Sequence, residues 1–163
     1  MLAGIGFISQ GFDASTYYRR QPASRDPRAA FIFEGIGEGE LIGDFGTLRG
    51  GAAGLKIDSY DALLGSPRHA LVVASSEGHS NSFQLVNESV LVAHGATDGP
   101  QNEAIRADMV FFECPGGGAV FSTGSIAYPG SLPTNGYANN VARLTTNVLR
   151  RFVDPTPFRM PER

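Results

Sequence analysis

The chain has 163 residues, 42% of them hydrophobic and 18% charged, with a formal net charge of -3. That balance fits one globular domain with a sizeable core and excludes a disordered or fibrous chain. The 13 Lys and Arg residues are scattered, so no stripe is offered to a nucleic acid backbone, and no stretch approaches the ~20 apolar residues that span a bilayer.

Taken from the N-terminus, MLAGIGFISQGF lacks the basic segment and long apolar run of a secretory leader, and a single cysteine, Cys114, excludes an intrachain disulfide framework. A soluble, cytoplasmic protein is expected. The run Leu2 to Ile8 is apolar and glycine-interrupted, like the middle of a strand or a buried turn. It reads either as a chain opening inside a larger architecture or as a boundary of no functional meaning.

Residues 1–66 are irregular. After the short apolar run Ala30 to Phe33, the segment GIGEGELIGDFGTLRGGAAG admits only turns and short strands, and this part is expected to be mostly loop. Its GIGEG element lacks the full G-x-G-x-x-G spacing, and Glu38 and Glu40 would repel a phosphate, which excludes a dinucleotide site. Tyr17, Tyr18, Arg19 and Arg20 stand close to Asp13 and read as aromatic packing with arginines at a subunit contact. Asp58 and Asp61, three apart, suit joint catalysis or, more simply, a solvated turn leading into a short helix.

Residues 67–153 are more orderly. Ala70 to Ala74, ALVVA, is a continuous apolar run of the kind buried on both faces of a parallel sheet. Ser82 is placed to cap a helix in which Phe83, Val86, Val90 and Ala93 recur at helical spacing, with Gly95 to stop it. Strand, helix and strand then make a right-handed crossover and a mostly parallel sheet flanked by helices, an α/β fold in which strands 70–74 and 119–123 run parallel. Met109 to Glu113 and Ala119 to Thr123 flank CPGGG as a hairpin. A terminal helix over 139–153 carries Val141, Leu144, Val148 and Phe152 on one stripe and is expected to cover the sheet. Pro155, Pro157 and Pro161 leave 154–163 as an extended tail.

In such a fold ligands bind at the carboxyl ends of the parallel strands, which selects Ser76, Glu77 and His79 after the first strand and Ser125 after the other. Glu77 suits a general base and His79 a proton-transfer partner, with Ser76 and Ser125 as substrate-binding groups. The plain structural alternative has Glu77 and Ser80 capping the next helix. Cys114 invites a nucleophile reading, but Pro115 and three glycines follow it where a strand-to-helix elbow is required, so a packed or turn thiol is expected. His69 and His94 have ordinary structural explanations, and Asn87-Glu88-Ser89 matches a glycosylation acceptor without a secretory context.

The segments QGFD, YYRR, IFEGIG, IGDFG, GGAAG and SSEGHS, with the stretch from Asp108 to Phe152, resemble the C-terminal part of the N,N-dimethylformamidase large subunits. The resemblance covers nearly the whole chain but only the end of that much longer subunit. It implies a core similar to the class I glutamine amidotransferases, incomplete here. It also implies an amide hydrolase that acts on small N-substituted amides through water activated by a single iron held by two tyrosines and a carboxylate. Those ligands are expected upstream of Met1 rather than at Tyr17 or Tyr18, leaving no metal ligand in this chain. A homo-oligomer or a partner subunit is implied. From a different class, the chain would be a non-catalytic assembly module that needs its missing half, and a weaker third reading is a cysteine hydrolase using Cys114.

Overall fold

The computed structural model describes residues 2–86 and 102–162. Among these residues, seven strands and one α-helix form the framework: β1 Gly6–Thr16, β2 Tyr18–Arg20, β3 Ala53–Ser59, β4 Leu71–Ser76, β5 Gln84–Leu85, β6 Asp108–Glu113, β7 Ala119–Ser122 and α1 Asn140–Val153. They make two sheets, ordered β3-β1-β5 and β2-β4-β6-β7, and every pairing is antiparallel.

The parallel, glutamine amidotransferase-like α/β fold is therefore overturned. A continuous apolar run reports burial on both faces and says nothing of strand direction. All six residues of β6 are buried, yet the cover comes from irregular segments. Phe111 meets Phe31 edge-on at 5.5 Å and Phe158 at 5.7 Å, whereas Phe112 meets the His69 ring at 6.1 Å on the other side. β4 and β7 do share one sheet and point the same way, but only because each is antiparallel to β6, which lies between them.

The expected crossover helix fails at its start. Phe83 is fully buried, but Gln84 and Leu85 pair with Gln10 and Ser9 as strand β5; Val90, Ala93, His94, Gly95 and the Asn87-Glu88-Ser89 triplet lie outside the described residues. Because β4 and β6 are antiparallel, no right-handed crossover is required between them.

The glycine-rich N-terminal part is also more regular than expected, since it carries the longest strand, β1, and its partner β3. The sequence hid this because β1 is bulged, its register shifting between Phe7 and Ser9 and again between Gly11 and Thr16, which breaks the alternation of apolar and polar residues. Gly51 and Gly54 allow the close approach: a Cβ at Gly51 would strike the backbone of Ser15 and Thr16, and one at Gly54 would strike the Ser15 side chain.

The two sheets are tied directly. Tyr17 alone separates β1 from β2, and the free edge of β3 bonds to the segment after β7, with Asp58 N donating to Gly124 O at 2.9 Å and Ile126 N to Lys56 O at 3.2 Å. Gly124, at φ +68, is required there, because a Cβ would lie 2.7 Å from the carbonyl oxygens of both Asp58 and Asp108.

The hairpin β6–β7 and the helix α1 form as the sequence predicts. Asn139 caps α1 by accepting from Ala142 N at 2.8 Å, and Arg150 and Arg151 occupy its last turn, where the helix dipole favours them. Its buried residues Val141, Leu144 and Val148 join the common core, but its main packing partner is the 3-10 turn Ala30–Phe33 rather than a strand. The tail is not free: Phe158 N donates to Gly117 O at 2.9 Å, and the Arg151 guanidinium lies 3.8 Å over the Phe158 ring.

Candidate functional site

β4 ends in Ser75 and Ser76, and the chain then turns through Glu77, Gly78 and His79, with Gly78 at φ +74. Four tethers fix this loop. Ser76 Oγ accepts from Ala107 N at 2.7 Å and is bonded to His79 Nε2 at 2.7 Å. Thr16 Oγ1 donates to Glu77 O at 2.6 Å. Arg19 Nε donates to the Glu77 carboxylate. Further on, Ser80 and Ser82 both donate to Asp13 Oδ1, the former at 2.8 Å.

Sequence order explains the Arg19 contact. In β2, Tyr18 and Arg19 project to opposite faces. Tyr18 is fully buried, its hydroxyl donating to Thr123 O at 2.7 Å, while Arg19 reaches the loop rim. The Arg19 and Glu77 side chains are each about half exposed, at 48% and 47%, so their pair orients the carboxylate and adds little stability.

His79 differs from the sequence expectation. It is 3% exposed, its ring lies 4.4 Å from that of Phe83 at a 52° tilt, and burial lowers its pKa from 6.5 to about 4. Its Nδ1 is buried with no hydrogen-bond partner among the described residues. A neutral imidazole accepting from Ser76 at Nε2 takes the one hydroxyl hydrogen of the serine, and burial penalises a charged ring here. His79 is thus a fixed neutral partner of Ser76 near neutral pH.

Beneath the loop lies a buried carboxylate that the sequence did not single out. Asp108 is fully buried and accepts from Ser75 Oγ at 2.7 Å, Tyr60 N at 2.9 Å and Arg106 Nε at 3.1 Å. It links β4, β6 and the end of β3. The signal was present as an acidic residue immediately before the apolar run 109–112, a position that demands partners.

The remaining candidates lie elsewhere. Ser125 Oγ accepts from Gly54 N at 2.9 Å and Ala127 N at 3.1 Å, and donates to Gly54 O at 3.1 Å; it is bonded to none of Ser76, Glu77 or His79. Cys114 stands past the far end of β6, six residues or about 20 Å of extended chain from Asp108. Its N–H donates to Gly118 O at 2.8 Å, and the nearby His69 directs Nε2 to Glu113 O at 3.0 Å. Asp58 lies in β3, where burial raises its pKa, while Asp61 accepts from Leu63 N in a local turn, so the two do not act together.

No group of three His, Cys, Asp or Glu among the described residues is gathered so as to hold a metal. Tyr18 does not fit a phenolate ligand either: burial raises its pKa well above 10, and its hydroxyl is engaged by a carbonyl.

Residues 1–140 match the family model described as N,N-dimethylformamidase beta subunit-like, C-terminal. The chain belongs to this family. It is 43% identical over 154 residues to the N,N-dimethylformamidase beta subunit of Paracoccus aminophilus and 42% identical over 154 residues to that of Alcaligenes sp, in each case across 94% of this chain. It spans only 20% of either protein, about a fifth of the length of these curated relatives. The family match and the antiparallel fold together revise the expected core: membership holds, whereas the glutamine amidotransferase-like sheet does not. No helix among the described residues is long and apolar enough to cross a membrane.

Proposed function

We propose that this chain serves as the C-terminal domain of an amide hydrolase acting on small N-substituted amides. It would contribute the Glu77 loop to a site completed by further segments or by another subunit. The observation that supports it most is the construction of the loop. Ser76, Thr16, Arg19 and Asp13 tether it from three strands, yet it leaves the Glu77 carboxylate at the surface. A carboxylate fixed in position and open to solvent can accept a proton from a water that attacks a carbonyl carbon. Arg19 orients it, and His79 and Ser76 hold the backbone beneath it. The metal that would activate water in such a hydrolase has no fitting ligand set among the described residues, so it would be held outside them.

A second reading has its own support. Glu77 is already satisfied by Arg19, as expected of a module whose role is assembly. The test is formamide hydrolysis by the full assembly containing this domain, with its subunit composition followed in parallel. Glu77→Gln is expected to lower turnover ~10²-fold or more with the assembly intact. Cys114→Ala is expected to leave turnover near wild type. Loss of assembly with Glu77→Gln, at unchanged activity per intact complex, would establish the module instead. Loss of activity with Cys114→Ala alone would establish the cysteine hydrolase.

A further inference from the structure

A groove of about 460 Å³ runs between the turn Thr134–Tyr137 and the outward face of α1. That volume falls within the roughly 300–1,000 Å³ range of small-ligand sites. Its lining includes Arg143 and Arg150 and no acidic side chain. Neither arginine takes part in an ion pair among the described residues. Seven residues apart, they are separated by about 10 Å along the helix, close enough for two long side chains to converge on one anionic group. The guanidinium of Arg143 rests against Gly35, where a Cβ would come within 3.0 Å of it, so the bare backbone leaves room for the arginine.

The opposite wall is strained. Asn135, Gly136 and Tyr137 occupy the left-handed region in succession, at φ 53, 59 and 67. For an aromatic residue this conformation is costly, and burial does not offset it, since Tyr137 is 65% exposed. Neighbouring bonds hold the turn in place: Asn139 Nδ2 donates to Thr134 O at 2.7 Å and to Leu132 O at 3.0 Å, and Asn135 Nδ2 to Ala138 O at 3.1 Å. The outcome is a held turn that presents an exposed aromatic residue at the rim of a cationic groove.

We infer that this groove binds a small aryl or heteroaryl oxyanion, its phosphate or carboxylate head between Arg143 and Arg150 and its ring against Tyr137. Planar guanidinium groups suit either head, and an aromatic face suits the ring. This assignment is independent of the Glu77 loop.

Calorimetric titration of the protein with phenyl phosphate, benzoate and, as a neutral control, phenol tests it. One saturable site is expected for at least one of the two anions and none for phenol; which anion binds identifies the head. Arg143→Gln, at an exposed position, is expected to weaken binding ~10-fold or more. Tyr137→Gly is the decisive variant. It relieves the left-handed strain, so the melting temperature should not fall, while affinity drops ~5-fold. Absence of saturable binding by both anions overturns the proposal, as does equal affinity in wild type, Arg143→Gln and Tyr137→Gly. Phenol binding as tightly as the anions overturns it too.

Discussion

Lowering the pH should destabilise this domain through His79 well before most carboxylates are protonated. The folded-state pKa of about 4 stands below the ordinary 6.5 because burial penalises the charged ring. Above the unfolded value the ring is neutral in both states and contributes nothing to the pH dependence. As the pH falls below it, the unfolded chain takes up a proton that the folded chain refuses, and stability declines. At about 1.4 kcal/mol per unit, the whole shift corresponds to about 3 kcal/mol, fully lost once the pH is below the folded pKa. That is a large share, roughly a fifth to three-fifths, of the 5–15 kcal/mol typical of a domain. The assay is urea unfolding of wild type and His79→Gln between about pH 7 and pH 5, where wild type should lose about 2 kcal/mol more than the variant. In parallel, the imidazole proton resonance of His79 should stay unshifted until the pH nears 4. A midpoint near the ordinary histidine value, or equal pH slopes in the two proteins, would refute the claim that burial holds this ring neutral.

Other substitutions probe the supports of the loop. Tyr18→Phe leaves Thr123 O without the hydroxyl now 2.7 Å away and should cost about 1–3 kcal/mol by thermal or denaturant unfolding, without lost apolar packing. Asp108→Ala strands the donors from Ser75 and Tyr60 in a dry site and should cost about 3 kcal/mol or more; an effect below about 1 kcal/mol would show that the network is not structural. Gly124→Ala forces a Cβ against two carbonyl oxygens at a left-handed position, so hydrogen exchange should rise in both β3 and β6 along with a loss of about 2 kcal/mol.

What the sequence determined by itself was local. The hairpin β6–β7 follows from the turn chemistry of CPGGG, and α1 from its periodic stripe and its Asn139 cap, because each depends on residues within a few positions of one another. Within SSEGHS, Ser76 and His79, three apart, are bonded to each other, whereas the sequence reading pairs His79 with Glu77. Only the tertiary structure decided strand direction, since burial periodicity is identical for parallel and antiparallel pairing. It also placed Gln84 and Leu85 beside β1 instead of in a helix, where pairing with a strand some 75 residues away overrode helical spacing. Glu77 meets Arg19 across 58 residues, and Ser75 meets Asp108 across 33. Ser125, grouped with Glu77 on the assumption of one shared strand edge, is drawn instead into the seam between β3 and the loop after β7. Contacts of that span are set by how the whole chain closes on its core, and no local pattern of residue types records it.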